Sequence, residues 1–276
     1  EKGLVYVKYI SAILAVSFLI LSGCSEKDQA EDHSQKNETA LIQNEEETKE
    51  KVKPEEKEEQ EVAVQQIKQD YEVNTANWKI EPVGDENKKV ALLTIDDAPD
   101  EHALEMAKTL KELNVSAVFF VNGHLLESDD KKDILKQIAD MGFEIGNHTY
   151  SHASLPDLTE QEQVEEIRRV NSLVEEITGS KPRFFRAPFG QNTDFSKNIV
   201  EEEHMRLMNW TMGYDWEKGY QTKDALIDVT LNSEYLFDGA NILMHDRKWT
   251  SEALAEIVQG LKDKGYEVID PNRIKS

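Results

Sequence analysis

Acidic and histidine side chains of this chain fall at spacings that suit metal and acid–base chemistry. Asp96 and Asp97 are adjacent, and two histidines, His148 and His152, lie four residues apart. This histidine spacing would place both imidazoles on one side of a helical turn. With one carboxylate they would form a three-ligand metal site that leaves positions open for water. The plainer alternatives are a solvated turn for the aspartates and a surface helix face for the histidines. The zinc-protease His-Glu-x-x-His pattern does not apply, because Thr149 follows the first histidine.

The stretch that leads to the two aspartates is predicted to be a buried strand. Residues 90–95 are a nearly continuous apolar run, which is typical of a sheet covered on both faces. Pro99 stops the strand. Neighbouring side chains of an extended chain point to opposite faces, so we expect Asp96 and Asp97 to meet different partners. A buried acid also needs a neutralising partner.

Strand and helix patterns alternate about seven times after residue 88. The predicted strands are 90–95, 117–121, 143–146, 183–186, 205–210, 240–244 and 266–269. The predicted helices are 102–113, 131–141, 159–178, 194–203, 223–232 and 251–264. Thr159 and Glu162 form a capping-box pattern at the third helix, and Gly179 closes that helix. The alternation predicts an α/β fold with a parallel sheet closed, or nearly closed, into a barrel.

Polar clusters follow five of these strands. They are Asp96-Asp97, residues 147–152, residues 186–190, residues 213–216 and His245-Asp246. The carboxyl ends of parallel barrel strands meet at one rim, where barrel active sites lie. Solvation alone does not explain five such clusters at five strand ends, so the sequence predicts an active site at this rim.

Single members of these clusters keep plainer interpretations. Arg186 would most often be a structural ion pair, and we expect Asp96 to be its partner. Phe189 and Trp216 could belong to the core, although an aromatic ring on a rim loop also suits a sugar face. A lone histidine such as His245, which follows an apolar strand, is more often a core residue than a catalytic one.

The five clusters, in this order, resemble the five motifs of the polysaccharide deacetylases, carbohydrate esterase family 4. The resemblance covers about residues 88–270. Its specific motifs are His148-Thr-Tyr-Ser-His152 and Arg186-Ala-Pro-Phe-Gly190, supported by Thr94-Ile-Asp-Asp97 and Leu243-Met-His245. The resemblance implies a distorted (β/α) barrel of about seven parallel strands. It also implies removal of N- or O-acetyl groups from a polysaccharide.

The resemblance further implies a metal site and a base. One divalent ion, expected to be Zn²⁺, would be held by Asp97, His148 and His152. Asp96 would be the base that activates water, and Arg186 would hold it in place.

The remaining roles that the resemblance implies are an acid and a sugar groove. His245 would be the general acid, with Asp215 tuning it. A backbone N–H near Phe189 would help to bind the oxyanion. Phe189, Tyr214 and Trp216 are expected to contact the substrate.

Two positions depart from the family pattern. Ala98 stands where the family usually has glycine, and its methyl group could narrow the loop beside the base or alter its backbone angles. Gly213 stands where the fourth motif usually carries an earlier aspartate, which weakens the assignment of Asp215. Neither departure removes a metal ligand.

Composition excludes several other classes of function. The chain of 276 residues has a formal net charge of −23, which argues against binding nucleic acid through phosphates or docking to anionic lipid. Its single cysteine, Cys24, allows no intrachain disulfide and no thiolate metal cluster. A metal site would therefore use histidine and carboxylate ligands. The sequence gives no sign of an obligate protein partner.

The N-terminal part is predicted to export and tether the domain. Residues 1–23 have a basic start and an apolar run, and they end at Leu21-Ser22-Gly23-Cys24, which resembles the lipobox of bacterial lipoproteins. Cys24 would then carry the lipid, with an uncleaved anchor helix as the alternative. Residues 24–65 are predicted to be a disordered acidic linker, since residues 25–61 hold fourteen acids against six lysines. Residues 66–87 are transitional, and 88–276 form the predicted catalytic domain.

These patterns predict an exported, membrane-anchored, metal-dependent hydrolase that faces the cell wall. It would remove N-acetyl groups from a cell-wall or extracellular polysaccharide, and N-acetylglucosamine of peptidoglycan is the expected substrate. One alternative is an O-acetyl esterase that acts on wall polymer or xylan. The other is a catalytically impaired lipoprotein that binds wall glycan, which the residues at positions 98 and 213 motivate.

Overall fold

The computed structural model describes residues 67–275. The predicted signal segment, Cys24 and the whole of the predicted acidic linker lie outside these residues. Within residues 67–275 we find no helix that is both long enough and apolar enough to cross a membrane.

The described residues form nine strands and six α-helices. The strands are β1 (Tyr71–Val73), β2 (Ile80–Pro82), β3 (Val90–Ala98), β4 (Val118–Val121), β5 (Glu144–Asn147), β6 (Phe184–Phe185), β7 (Arg206–Leu207), β8 (Ala240–His245) and β9 (Glu267–Val268). The helices are α1 (Ala103–Glu112), α2 (Asp129–Asp140), α3 (Glu160–Thr178), α4 (Asp194–Glu202), α5 (Lys223–Asn232) and α6 (Lys248–Asp263). The helix bounds lie within three residues of the predicted ones.

Seven strands form one parallel sheet that curls nearly into a barrel. Its order is β7-β6-β5-β4-β3-β8, and β9 also pairs with β3. The segment after β7 returns to β8, where Met212 bridges Ile242 in parallel. The sheet therefore closes on itself through a short bridge rather than a full strand. The predicted distorted barrel of about seven parallel strands is confirmed.

Strand β3 supplies side chains to two cores. Ala91 and Leu93 belong to the cluster that includes residues of α1 and α6, whereas Val90 and Leu92 belong to the cluster inside the barrel. This follows from the two-residue alternation of a strand. The inward row continues through Thr94 to Asp96, so the barrel interior is apolar near the start of β3 and polar at its end.

The end of β3 does not stay extended. Asp97 has φ of 61°, and the register between β3 and β4 shifts between Ile95 and Ala98. Both aspartates therefore face the rim, and each has a carboxylate oxygen within 4 Å of Nε2 of His148, at 3.5 Å for Asp96 and 3.9 Å for Asp97. Each aspartate has its own hydrogen-bond donor, as expected, but the shared approach to this imidazole was not predicted.

The two histidines after β5 are brought together by an irregular loop. Thr149 and His152 both have positive φ, 67° and 60°, and the expected helical turn is absent between His148 and His152. Glu166 of α3 holds the loop, since its carboxylate accepts hydrogen bonds from the backbone N–H and hydroxyl of Ser151. The imidazole centroids are 5.0 Å apart. The rings converge, although not for the predicted reason.

The segment predicted as transitional contains an antiparallel pair of strands, β1 and β2. Tyr71 and Ile80 from these strands are fully buried, and they pack in the cluster inside the barrel with Phe120 and Phe184. Tyr71 also bridges Ile274 near the chain's end. This segment therefore contributes to the barrel core.

Asp246, directly after β8, supplies the N-terminal cap of α1. The residue before that helix, His102, makes no side-chain cap of its own. The buried carboxylate of Asp246 instead accepts hydrogen bonds from the backbone N–H groups of Asp100, His102 and Ala103 at 2.6–2.9 Å. Burial raises the pKa of Asp246 in spite of these donors. The cap fixes the rim segment that follows His245.

Candidate active site

A cavity of about 370 Å³ opens at the carboxyl ends of the strands. All the predicted site residues line it except Arg186 and Tyr214. The lining residues are Asp96, Asp97, His148, His152, Phe189, Trp210, Asp215, Trp216, Leu243, His245 and Arg247.

Asp97, His148 and His152 form a group that could hold a metal ion, since their ligand atoms lie within 4.8 Å of one another. Nδ1 of His148 lies 2.8 Å from the backbone carbonyl oxygen of Arg186. A carbonyl can only accept, so Nδ1 carries the hydrogen and Nε2 presents its lone pair to the group. Burial lowers the pKa of His148 in spite of the charges of Asp96 and Asp97, which favours the neutral imidazole that a metal needs. These residues fit a divalent ion with nitrogen and oxygen ligands, such as zinc.

The two oxygens of Asp97 face different groups. Oδ1 lies 3.9 Å and 3.6 Å from Nε2 of His148 and His152, and Oδ2 accepts a hydrogen bond from Arg247 at 2.7 Å. Burial raises the pKa of the Asp97 carboxyl, but the surrounding imidazoles, His245 first, and Arg247 outweigh burial and lower the pKa. Sequence reasoning missed Arg247. A basic residue two positions beyond the last rim histidine was the available signal.

Asp96 and Arg186 form a fully buried ion pair, as expected from the sequence. Nη1 of Arg186 donates to Oδ1 of Asp96 at 2.6 Å. Oδ2 of Asp96 remains free to face the metal group, 3.5 Å from Nε2 of His148. The other guanidinium contacts hold the arginine from three sides: Thr94 Oγ1 at 2.8 Å, the Met208 carbonyl at 3.0 Å and the Asn209 carbonyl at 3.0 Å. The arrangement fixes the orientation of the Asp96 carboxylate at the wall of the cavity.

His245 and Asp215 form the second polar pair of the cavity. Nδ1 of His245 lies 2.7 Å from Oδ1 of Asp215. The other carboxylate oxygen accepts from the backbone N–H of His245 at 2.6 Å and from the Thr250 hydroxyl at 2.8 Å. Burial alone lowers the pKa of His245, but the hydrogen bond and charge of Asp215, together with Asp96 and Asp97, raise it above its ordinary value. A protonated imidazole is therefore favoured here.

The two departures from the family pattern have local explanations. A Cβ atom at Gly213 would lie 2.7 Å from the Leu243 carbonyl oxygen and 2.7 Å from the Trp216 ring. Glycine at 213 therefore makes room for the Trp216 ring. Within the described residues, Asp215 is the carboxylate that hydrogen-bonds to the His245 imidazole. Ala98 is fully buried in β3 and its φ is not positive, so its methyl group belongs to the core and strains no loop.

Aromatic rings stand beside both polar groups. Phe189 has φ of 58° and is 62% exposed, and its ring meets His152 edge-to-face at 4.9 Å. The half-exposed ring of Trp216 meets His245 in the same way at 5.5 Å. Tyr214 does not line the cavity. Its hydroxyl lies 2.6 Å from Oγ of Ser233, beyond α5.

Comparisons with known proteins agree with this site. The polysaccharide deacetylase family profile matches residues 83–208. The chain is 33% identical over 193 residues to a peptidoglycan-N-acetylglucosamine deacetylase of Bacillus cereus, a match that covers 67% of this chain and 68% of that protein. It is 30% identical over 194 residues to the peptidoglycan-N-acetylmuramic acid deacetylase PdaC of Bacillus subtilis, covering 69% of this chain and 40% of PdaC.

A solved structure is similar as well. BA3943 of Bacillus anthracis, described as a pseudoenzyme of carbohydrate esterase family 4, has a TM-score of 0.61 and 31% identity, and the match covers 66% of this chain and 63% of that one. The chain thus spans less than two thirds of PdaC and of BA3943. The profile match at residues 83–208 includes three of the five polar rim clusters. Together with the similarity to the Bacillus cereus deacetylase, it shows that this chain belongs to the polysaccharide deacetylase family.

Proposed function

We propose that this protein hydrolyses the N-acetyl groups of amino sugars in cell-wall peptidoglycan and that the reaction depends on a divalent metal ion. One observation carries the proposal. The Asp97-His148-His152 group lies in one cavity with a buried carboxylate, Asp96, and a carboxylate-paired imidazole, His245. Amide hydrolysis needs these three components.

The residues divide the chemistry among them. A divalent ion, for which zinc is our first choice, would polarise the acetyl carbonyl and make a neighbouring water more acidic. Asp96, held by Arg186, would accept the proton of the attacking water. His245 would donate a proton to the leaving amine nitrogen, and Asp215 would keep its imidazole protonated and oriented. Phe189 would supply a backbone N–H for the oxyanion and, with Trp216, a face for the sugar ring.

Two alternatives use the same cavity. An O-acetyl esterase would need the same ligands and base, with acetylated wall polymer or xylan as substrate. The similarity to BA3943 raises a second alternative, a wall-glycan-binding protein without activity. The hydrogen-bonded pairs of the cavity favour an active enzyme, because Asp96 and His245 each keep a charged or hydrogen-bonded partner.

We also propose that the protein acts outside the cell membrane as a lipoprotein anchored at Cys24. Two relatives are named as peptidoglycan deacetylases, and their substrate is a wall polymer. The lipobox-like residues before Cys24 and the acidic linker after it would hold the domain off the membrane and within reach of that polymer.

The central test compares acetate release from purified peptidoglycan, N-acetylglucosamine oligomers and acetylxylan. We expect release from the first two and little from acetylxylan. Asp96→Asn should lower turnover by about 10²–10⁴-fold, because the base is lost while its shape is kept. Metal content and a thermal melt of the variant are the controls, since the buried guanidinium of Arg186 loses its charged partner. A near-normal rate for Asp96→Asn would place the base elsewhere.

Metal binding is tested without activity. We expect the wild-type protein to bind one divalent ion in equilibrium dialysis, and His148→Ala to bind it far more weakly because a ligand is lost. His204→Asn is the matched control, since His204 is exposed and asparagine tolerates its φ of 57°. Full hydrolytic activity in protein shown to be metal-free by elemental analysis would refute the mechanism.

The role of His245 predicts a difference between substrates. An amide releases a poor leaving group that must be protonated, whereas an activated aryl acetate needs less help. His245→Ala should therefore lose most activity on an N-acetylated oligosaccharide and much less on an aryl acetate, with metal content unchanged.

The role of His245 as an acid also predicts how the rate depends on pH. The raised pKa keeps His245 protonated to higher pH than an ordinary histidine, so the wild-type rate should fall as pH rises through that pKa. This high-pH limb should disappear in His245→Ala. Equal losses on both substrates, accompanied by loss of metal, would show that His245 is structural or a ligand.

The anchor is tested by Cys24→Ala. The variant should leave the membrane fraction and keep its activity on soluble oligosaccharide, because the linker separates anchor and site. A variant that stays in the membrane with an intact N-terminus would show instead that residues 1–23 form a spanning helix.

A further inference from the structure

Arg247 places a positive charge on the wall of the cavity. Among the described residues, it is the one lysine or arginine that lines this space. It is the second residue after β8 and stands at the N-cap position of α6. The rest of the wall consists of carboxylates, imidazoles and apolar side chains. A guanidinium in this wall must therefore either bind a ligand or stabilise the structure.

The guanidinium is held in one position by acidic and carbonyl oxygens. Nη2 donates to Oδ2 of Asp97 at 2.7 Å, and Nη1 donates to the backbone carbonyl of Asp246 at 3.0 Å. Oδ2 of Asp100 lies 3.7 Å from Nη1. Asp246 is itself fixed by the three backbone donors at the start of α1. Arg247 is therefore oriented before any ligand arrives.

The same guanidinium keeps donors for a ligand. Its side chain is 36% exposed, and within residues 67–275 its Nε–H donates to no protein atom. Asp97 neutralises it only in part, because the other oxygen of that carboxylate faces the metal group. A second cation reinforces this part of the rim, since the ammonium of Lys131 donates to the Asp100 carbonyl at 2.5 Å.

The position of Arg247 relative to Asp97 indicates which anionic group of a substrate the guanidinium could bind. One oxygen of Asp97 faces the imidazoles, where the acetyl group must be bound for hydrolysis, and the other contacts Arg247. A group next to the acetamido substituent on the sugar ring would therefore come within reach of the guanidinium. Among wall amino sugars, N-acetylmuramic acid differs from N-acetylglucosamine by a lactyl ether on the neighbouring ring carbon, and that ether ends in a carboxylate.

We infer that Arg247 binds a carboxylate on the sugar that is deacetylated, so that the site prefers an N-acetylmuramic acid residue with a free lactyl group to N-acetylglucosamine. The inference rests on the proposed function and names its substrate more closely. A guanidinium recognises a carboxylate by paired, charge-assisted hydrogen bonds. The formal net charge of −23 disfavours the approach of acidic sugars, and a cation on the cavity wall would offset this repulsion locally.

The experiment compares two sugars in four proteins. The proteins are the wild type, Arg247→Gln, Arg247→Lys and a control, Lys248→Gln. Lys248 is the next residue and pairs with Glu252 on the surface of α6, so the control loses the same charge outside the cavity. The substrate is peptide-free peptidoglycan glycan, and the products glucosamine and muramic acid are separated and counted. Binding of free N-acetylmuramic acid and N-acetylglucosamine is titrated alongside.

The wild type should deacetylate the muramic residue preferentially. Arg247→Gln should lower the muramic-to-glucosamine ratio of kcat/KM by about 10- to 100-fold, the usual range for one charge-assisted contact. Arg247→Lys should fall between, because lysine keeps the charge but not the planar fork. Lys248→Gln should keep the wild-type ratio within about twofold, as expected of a surface charge. The ratio is used because any loss of metal through Asp97 affects both sugars equally.

Other outcomes separate the two claims. Deacetylation of N-acetylglucosamine without preference for the muramic residue, or equal losses on both sugars in Arg247→Gln, would overturn the role of Arg247 and leave the proposed function intact. No acetate from any glycan with metal-loaded wild type would overturn the proposed function. In that case the titrations still decide, since an unchanged affinity ratio in Arg247→Gln would also overturn the role of Arg247.

Discussion

The buried pair of Asp96 and Arg186 is the constraint on which the rest of the site depends. Two charges with almost no exposure to water are stable only if their geometry is good and their remaining hydrogen-bonding groups are satisfied. Strand β3 supplies Asp96 and Thr94, β6 leads into Arg186, and the segment after β7 supplies carbonyl oxygens. These elements must therefore be in register for the pair to form. The backbone carbonyl of Arg186 also accepts from His148, so one residue orients both the carboxylate and a candidate metal ligand.

Backbone strain is concentrated at the same rim. Asp97, Thr149, His152 and Phe189 all have φ between 58° and 67°, where residues other than glycine are rarely found. Such conformations cost free energy and persist only where surrounding contacts hold them. Here the contacts are identifiable: Arg247 on Asp97, and Glu166 on the loop that carries the two histidines. The folding free energy of the barrel thus offsets the cost of these backbone conformations, which direct the side chains into one cavity.

Periodic features could be predicted from the sequence, and the features set by loop geometry could not. The capping box of Thr159 with Glu162 and the left-handed Gly179 both formed as predicted, because each depends on residues a few positions apart. The alternation of strands and helices likewise predicted the barrel correctly. The convergence of His148 and His152 was predicted from a helical turn that does not exist, since positive φ at Thr149 leaves no signal in residue type. The strands β1 and β2 were too short to show periodicity. The ion pair of Arg247 with Asp97 was not predicted, because the two residues are 150 positions apart and no local pattern connects them.

Membership of the family does not by itself decide activity, since BA3943 has the same fold and is described as a pseudoenzyme. Whether such a site can act depends on the hydrogen bonds that hold its carboxylates and imidazoles in place. The resemblance to the family puts Gly213 where the fourth motif usually carries an earlier aspartate, and an exposed Asp215 would then be a weak partner for His245. Asp215 is instead almost fully buried, and its second oxygen accepts from the His245 backbone and from Thr250. Those two donors fix the carboxylate, and the low exposure strengthens its effect on the imidazole. Glycine at 213 therefore leaves space for the Trp216 ring that lines the cavity, and the acid–imidazole pair on which protonation of an amine would depend is present.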